Sequence, residues 1–326
     1  MRSTLAQLLV EAAATDEHFI VLSGDHGYAL FDGLRATHPD RFLNVGIAEQ
    51  NMIGLAAGLA KTGSRPCVYG LAAFVPMRVL EQIKLDLCHA RLPVILLGDG
   101  AGLVYSTLGV SHQCGEDIAC LRPLPGISLY SPCDESELKA CWQEARVTEH
   151  PSYIRLGKAD RPSVHTMPLH SCEPVWTHVS ENLNPSPLIV ATGSLTSPAT
   201  VFARKHGVAC LSVPRIKPLP EAVLVAIRAS TNTIILEEHV AAGGLFSAVA
   251  ECLVAGGQAK GPVSVQHMGL MSRFTETAGS YENALSEHAL DEATLTHRLL
   301  LWLTDCSPSY NNSMMSNPDD RPPSCQ

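Results

Sequence analysis

Short apolar runs alternate with longer helical segments along most of the chain, and this alternation limits the possible folds more than any other feature. Each run is almost continuously apolar, as expected for strands buried on both faces of a sheet. Strands joined through helices are typical of parallel connections, so the sequence predicts an α/β fold. The predicted strands of the first half lie at 19–25, 41–46, 66–74, 93–100, 126–130 and 151–157, and the helices at 47–62, 76–91 and 134–147.

The second half repeats this alternation after a change in composition. Residues 158–186 are rich in Pro, His and Ser and lack a clear period. We therefore predict a first domain over 1–160, a linker over 161–186, a smaller α/β domain over 187–306 and a disordered tail over 307–326. The predicted strands of the smaller domain lie at 187–194, 207–213, 232–239 and 262–269, and its helices at 196–206, 218–229 and 243–256.

Charge and composition exclude several classes of protein. The net charge of −9 and the pI near 5.8 argue against non-specific nucleic-acid binding, which needs a basic surface. The sequence contains no run of about 20 apolar residues, which is the length needed to cross a membrane. The eleven cysteines are odd in number and form no CxxC pair, which favours reduced thiols in the cytoplasm. We expect no metal bound by this chain alone.

Three segments at strand ends carry candidate functional residues, because ligands of open parallel sheets bind beyond the carboxyl ends of strands. Glu49 follows the second predicted strand, Phe74 ends the third, and the Gly-rich loop 98–117 contains His112. Each has an ordinary structural explanation. A first-turn glutamate complements the helix dipole, a phenylalanine belongs to the core, and a loop histidine is often a solvated polar group. Only their combination indicates a site.

That combination resembles a known family. RFLNVGIAEQNMIGLAAGLAKTG (41–63), RVLEQIK (78–84) and LGVSHQCGEDIACLRPLPG (108–126) resemble the pyrimidine-binding half of transketolases. EEHVAAGGLFSAVAE (237–251) is similar to the segment that begins the last helix of their C-terminal domain. The resemblance implies a thiamin diphosphate-binding fold, with a parallel-sheet pyrimidine domain followed by a smaller α/β transketolase C-terminal domain. It also implies transfer of a two-carbon ketol unit from a ketose or ketose phosphate to an aldose.

The resemblance also implies a partner. Full transketolases hold the cofactor diphosphate and a divalent metal through a GDG…N motif in an additional N-terminal domain. Here GDG occurs at 98–100, but no Asn pair follows at a distance that would complete a diphosphate-metal site. We therefore expect the C-terminal subunit of a split transketolase. An N-terminal-type partner subunit is expected to hold the diphosphate and Mg²⁺ (or Ca²⁺) of thiamine diphosphate. The family implies an α2β2 heterotetramer.

On the cofactor side, Glu49 matches the glutamate that hydrogen-bonds the pyrimidine ring nitrogen, and Phe74 matches the aromatic residue that stacks on this ring. Asp25 matches an aspartate beside the cofactor, and Leu71 and Met77 match neighbours of the pyrimidine. Burial favours a protonated Glu49 carboxyl whereas the helix N-terminus favours its anion, and the sequence does not rank these two effects.

On the substrate side, His112 matches a histidine that hydrogen-bonds the donor sugar and relays protons. His26 is expected near it. Arg155 and Arg2 match arginines that bind the sugar phosphate, a role suited to a bidentate guanidinium.

Several positions depart from the transketolase pattern. Gly100 and Leu108 replace a histidine and an aspartate that contact the donor, Ala29 replaces a phosphate-contacting serine, and Leu71 replaces a stacking phenylalanine. We therefore expect a donor other than the usual pentose phosphates. The alternatives are a β subunit of a 2-oxo acid dehydrogenase E1 component, deoxyxylulose phosphate synthase, and a non-catalytic subunit of another thiamine enzyme.

Overall fold

Two β-sheets organise the part of the chain that the computed structural model describes, which comprises residues 1–158, 160–180, 187–255 and 263–306. The strands are β1 (Phe19–Ser23), β2 (Phe42–Asn44), β3 (Arg65–Leu71), β4 (Ile95–Asp99), β5 (Ser128–Tyr130), β6 (Ser152–Leu156), β7 (Val175–His178), β8 (Leu188–Ala191), β9 (Ala209–Ser212), β10 (Arg215–Lys217), β11 (Asn232–Val240) and β12 (Ser264–Leu270). The first sheet has the order β10-β5-β6-β4-β3-β1-β2, and the second has the order β12-β11-β8-β9-β7. All pairings are parallel except those of β10 and β7.

Helices cover both faces of the first sheet. The α-helices are α1 (Arg2–Thr15), α2 (Asp32–Thr37), α3 (Glu49–Lys61), α4 (Leu80–Gln82), α5 (Asp117–Leu121), α6 (Glu135–Val147), α7 (Thr196–His206), α8 (Glu221–Arg228), α9 (Leu245–Ala255), α10 (Tyr281–Glu287) and α11 (Glu292–Cys306). A 3-10 turn, Met77–Val79, precedes α4, and a π-helical run, Ile83–His89, follows it. Within the described segments, no helix combines the length and apolar character needed to cross a bilayer.

The core explains the near-continuous apolar strands. On one face of the first sheet, Met52 of α3 and Ile83 pack in a cluster that continues through Val190 and Ile235 of the second sheet. Residues of α1, α2 and α6 cover the opposite face. The α/β prediction is therefore confirmed, and a single apolar cluster joins the two sheets.

The order of β2, β1, β3 and β4 creates a topological switch point. From β1 the chain moves outward to β2, and then returns to place β3 on the other side of β1. Connections that leave two neighbouring strands in opposite directions open a crevice at their carboxyl ends. The residues after β1 and β3 therefore face one another across this crevice, where ligands of such sheets bind.

Several parts of the fold differ from the sequence prediction. Val175–His178, inside the predicted linker, forms the edge strand β7 of the second sheet, and Arg215–Lys217 of the second half joins the first sheet as β10. The segment predicted to begin the last helix forms α9, and two further helices, α10 and α11, follow it. In the first half, α1, α2 and α5 were not predicted. The tail at 307–326 and residues 181–186 lie outside the described residues.

Candidate active site

The structure brings four of the predicted site residues together at the switch point. His26 follows β1 and Phe74 follows β3, and their ring centroids lie 5.8 Å apart. On another side of Phe74, the ring of His112 lies at 5.3 Å. Glu49, Arg78 and His112 are all near enough for their charges to shift the pKa of His26. The cluster therefore combines a carboxyl group, an aromatic ring and two imidazoles.

Glu49 is the first residue of α3 and is almost completely buried, with 4% exposure. The chain enters this helix through Gly46, whose φ of +74° favours glycine. An acidic first-turn residue is favourable at a helix N-terminus. Its carboxyl oxygen Oε1 accepts a hydrogen bond of 2.8 Å from Arg78 Nη1. A buried carboxyl therefore lies at the mouth of the crevice, with one oxygen already engaged.

Phe74 lies in a tight turn directly after β3. Its backbone N–H donates to the carbonyl of Leu71, as does that of Val75. Leu71 is buried with its strand, whereas Met77 is exposed. The turn holds the half-buried ring of Phe74 between the two imidazoles.

Arg78 belongs to the same cluster and was not predicted as a site residue. Its guanidinium carbon lies 3.9 Å from the centroid of the Phe74 ring, in addition to its ion pair with Glu49. The residue opens the RVLEQIK segment of the resemblance, but an arginine near a helix start gives no signal by itself. Only the fold shows that it faces Glu49.

His26 has an unsatisfied polar atom. Its Nε2 is buried without a hydrogen-bond partner among the described residues. Burial lowers the pKa of His26, and the nearby Glu49 and Asp25 only partly oppose this effect. A neutral imidazole with an unpaired nitrogen at the crevice indicates room for a polar group of a ligand.

The two loops beside His26 and Glu49 are tied together by Asn44. Its Nδ2 donates to Asp25 Oδ1 at 3.0 Å, and its Oδ1 accepts from the backbone N–H groups of Asp25 and Gly46. Asp25 itself is exposed and has a φ of +63°. Asp25 thus lies at the rim of the cluster and fixes the loop that carries His26.

The second domain supports the loop that carries His112. Ser111 Oγ lies 2.9 Å from His112 Nδ1. Gln113 receives a hydrogen bond from Thr275 of the second domain at 2.8 Å, and the Gly279 N–H donates to the Ser106 carbonyl. The position of His112 therefore depends on packing between the two domains.

Arg155 is buried and hydrogen-bonded inside the protein. Its side chain is 2% exposed, and its Nε lies 2.9 Å from both carboxylate oxygens of Asp117. Its Nη2 donates to the carbonyl of Glu238 at 2.7 Å. The guanidinium is thus buried and bonded within the protein, and contact between Arg155 and a sugar phosphate stays a prediction that these bonds do not support. Arg155 instead joins β6 to α5 and to β11.

Arg2 is half-exposed but is also engaged. Its Nη2 donates to the carbonyl of Tyr28 at 2.7 Å, and its Nη1 lies 3.9 Å from Asp99 Oδ2. The hydroxyls of Tyr69 and Tyr105 donate to the same carboxylate oxygen, at 2.6 and 2.7 Å. Arg2 therefore belongs to a polar cluster around Asp99, at the carboxyl end of β4.

Gly100 allows this cluster to form. Its φ is +74°, and a β-carbon there would collide with the ring of Tyr105. Tyr105 therefore fills the space beside position 100, where the transketolase pattern has a histidine.

Glu238 and Glu237 were quoted in the resemblance without a role. The buried carboxylate of Glu238 accepts hydrogen bonds from the Leu103 N–H and the Tyr281 hydroxyl, both at 2.7 Å. The carboxylate of Glu237 accepts from the N–H groups of Leu245 and Phe246 at the start of α9. The sequence could have indicated that these residues have partners, because two adjacent glutamates stand inside an apolar strand and buried carboxylates need partners.

One group of side chains in the described residues has donor atoms close enough to hold a metal ion: Cys133, Glu137 and His165. The donor atoms of Glu137 and His165 are already engaged within the protein. The Glu137 carboxylate lies 2.9 Å from His165 Nε2 and accepts from the Ser212 hydroxyl at 2.5 Å and the Cys133 N–H at 2.8 Å. We interpret this cluster as a hydrogen-bonded connection between the domains, and the absence of a metal stays a prediction.

Comparisons with known proteins agree with this architecture. Residues 1–162 match the transketolase pyrimidine-binding domain family. A 6-deoxy-6-sulfo-D-fructose transketolase subunit of Clostridium sp. (strain MSTE9) is 31% identical over 286 residues, covering 85% of this chain and 86% of that protein. One of the subunits of an apulose-4-phosphate transketolase, from Phocaeicola vulgatus, is 30% identical and covers 89% of this chain and 93% of that protein. Among solved structures, a split-gene transketolase in the form of an inactive β4 tetramer superposes with a TM-score of 0.80 at 29% identity, covering 93% of this chain and 98% of that one.

Proposed function

The chain belongs to the transketolase family, and from this premise we propose that it is the C-terminal subunit of a thiamine diphosphate-dependent transketolase. In this proposal it transfers a two-carbon ketol unit from a ketose or ketose phosphate to an aldose acceptor. The observation that carries the proposal is the cluster at the switch point, where the buried carboxyl of Glu49 lies beside an aromatic ring flanked by two imidazoles.

The residues of this cluster fit the aminopyrimidine of the cofactor. The Glu49 carboxyl can hydrogen-bond a ring nitrogen, the Phe74 ring offers a face for stacking, and the unpaired Nε2 of His26 can bind a further polar group. Leu71 and Met77 supply apolar surface beside Phe74. The bound cofactor supplies the carbanion chemistry, whereas these side chains orient it and keep water away.

On the substrate side, His112 is proposed to hydrogen-bond the donor sugar and to accept or return a proton at Nε2, since its Nδ1 is engaged by Ser111. His26 stays neutral near pH 7, because burial lowers its pKa, and it can bind a sugar hydroxyl. Asp25 and Arg2 are proposed to border the site. Arg155 is not part of the proposal.

The diphosphate and Mg²⁺ (or Ca²⁺) are assigned to an N-terminal-type partner subunit, in an α2β2 assembly. Support comes from the transketolase subunits that this chain matches over most of their length. The ten cysteines of the described residues are free thiols, which supports a reducing compartment such as the cytoplasm.

The donor is proposed to differ from the standard pentose phosphates. Tyr105 fills the space beside Gly100, Asp99 places a negative charge near Arg2, and Leu108 is exposed in place of an aspartate. We expect xylulose 5-phosphate to have a lower kcat/KM than the preferred ketose. A donor screen with the reconstituted complex measures this, and equal efficiency with the standard donor would contradict it.

Substitution of Glu49 by glutamine tests the proposed function. The change keeps the shape and removes the ionisable proton, so we expect kcat to fall about 100-fold or more with the assembly intact. The matched control is Glu149→Gln, at an exposed position far along the chain, which should retain full rate. Unchanged activity of the Glu49 variant would favour a non-catalytic subunit. Decarboxylation of a 2-oxo acid by the complex would favour the dehydrogenase alternative.

A further inference from the structure

The side chain of Arg78 contacts Glu49 and Phe74, and the proposed function assigns both of these residues to cofactor binding. Its Nη1 lies 2.8 Å from Glu49 Oε1, and its guanidinium carbon lies 3.9 Å from the centroid of the Phe74 ring. A guanidinium is planar, carries N–H donors at its edge and stacks on aromatic faces. In shape and hydrogen bonding it can take the place of a flat, amino-substituted ring.

We propose that Arg78 is a stand-in for the pyrimidine, which occupies the position between Glu49 and Phe74 in the free chain and leaves it when thiamine diphosphate binds. This inference rests on the proposed function, because it needs an aminopyrimidine as the competing ligand. It concerns a residue to which the family resemblance gave no role.

The burial of Glu49 explains why such a stand-in is needed. A carboxylate with 4% exposure is unfavourable without a partner, and the guanidinium is the side-chain partner that the structure gives it. In the free chain the Arg78 guanidinium therefore stays paired with Glu49 until a ligand binds. Exchange of one flat donor for another then leaves the carboxyl hydrogen-bonded throughout.

The environment of Arg78 allows it to move. Its side chain is 46% exposed, and it lies on a 3-10 turn that leads through α4 into a π-helical run. Irregular helical segments of this kind occur often at functional sites. The Phe74 ring and Glu49 are held by the β3 turn and by α3, so the arginine is the part of the contact that can leave.

The unpaired Nε2 of His26 indicates that Arg78 does not complete the pocket. His26 feels the charges of Glu49, Arg78 and His112, yet no hydrogen-bond partner for its Nε2 lies among the described residues. Arg78 thus satisfies the carboxyl and the ring face but leaves one polar atom of the same cluster unsatisfied. An occupant with one more polar group fits better.

Cofactor binding tests the stand-in directly. In the complex with the partner subunit, calorimetric titration with thiamine diphosphate and Mg²⁺ is compared for the unsubstituted protein and for Arg78→Met. Removal of the competitor should tighten binding about threefold to tenfold, as expected from the loss of one ion pair and one cation–π contact in the free state. Arg35→Met is the matched control, because Arg35 also pairs with a carboxylate and lies over a phenylalanine ring, that of Phe42. It should leave binding unchanged.

Weaker or unchanged cofactor binding by Arg78→Met would overturn the inference, since weaker binding makes Arg78 a ligand of the loaded site. If the unsubstituted complex showed no binding of the cofactor at all, the proposed function itself would fail, which is a different outcome.

A double-mutant cycle provides the second measurement, without any enzyme assay. Urea unfolding of the full chain without cofactor is compared for Arg78→Met, Glu49→Gln and both together. We expect Arg78→Met to lower the free energy of unfolding by less when Glu49 is already replaced. In the complex saturated with cofactor, the same pair should show no coupling in thermal stability. Coupling that persists in the saturated complex would contradict the exchange.

Discussion

At the scale of single residues, Arg155 shows how far the surroundings decide a role. By position it matches an arginine that binds the sugar phosphate in the family, but its partner Asp117 lies 38 positions away along the chain. The sequence gives no sign that the two meet. Motifs singled out Glu49, Phe74 and His112, which the structure brings together, and their roles stay predictions. Arg78 also lies in a motif, but its contacts with Glu49 and Phe74 become visible only in the fold.

The pair of Arg155 and Asp117 predicts a stability effect. Asp117→Asn leaves the guanidinium buried without its counter-charge, so we expect a loss of about 3 kcal/mol in the free energy of unfolding. Asp32→Asn, in an exposed pair with Arg35, should lose less than about 1 kcal/mol. Urea unfolding measures both, and equal losses would contradict the assignment.

Gly100 gives a second prediction at this scale. Gly100→Ala introduces both backbone strain and a collision with Tyr105, whereas Gly46→Ala, at the same φ of +74°, meets no atom within 4 Å. We expect Gly46→Ala to cost about 1 kcal/mol and Gly100→Ala at least twice that. In a Tyr105→Ala background the cost of Gly100→Ala should fall to that of the Gly46 control. Chemical denaturation of the four variants checks this, and an unchanged cost in the Tyr105→Ala background would contradict the collision.

At the scale of elements, the parallel strands could be predicted, including β2 and β12 at sheet edges, and the two antiparallel edge strands β7 and β10 could not. β7 and β10 are short and mix polar with apolar residues, so neither shows a continuous apolar run. The helix α6 was predicted to within one residue of its start, because Asp134 caps it by accepting from the N–H groups of Ser136 and Glu137. Local chemistry sets that boundary.

The start of α9 predicts a pH dependence. Burial raises the pKa of Glu237 from its usual 4.5 to about 7, although the N–H groups of Phe246 and Leu245 lower it. The folded state therefore binds the proton more tightly than the unfolded state. The protonated Glu237 carboxyl therefore stabilises the folded state fully below pH 4.5. This contribution to the free energy of unfolding is lost as the pH rises through 7, by about 3 kcal/mol in all.

Glu237→Gln should remove this loss, because the amide does not titrate. The free energy of unfolding, measured in urea from pH 5 to 8, should fall less steeply with pH in Glu237→Gln than in the unsubstituted protein. Glu149→Gln is the exposed control and should keep the steep slope. Parallel profiles for the two glutamine variants would contradict the role of Glu237.

At the scale of the whole molecule, the two sheets share one apolar cluster. That cluster contains residues of both, and β10 of the second half completes the first sheet. The sequence predicted two α/β units but not this shared burial, because burial between distant segments leaves no local pattern.

Shared burial predicts a single unfolding transition. Trp142 lies in α6, whereas Trp176 and Trp302 lie in β7 and α11 of the second half. Fluorescence of Trp142→Phe reports the second half, and that of a Trp176→Phe/Trp302→Phe double variant reports the first. We expect equal urea midpoints after correction for each variant's stability by circular dichroism. Two separate midpoints within one variant would indicate domains that unfold independently.

The ring of Tyr105 beside Gly100 also limits the order in which substitutions at the two positions can accumulate. A side chain at position 100 fits more readily after the residue at position 105 has become small, because the reverse order passes through a protein in which the two collide. In selection experiments that introduce a side chain at position 100, a small residue should therefore appear at position 105 first.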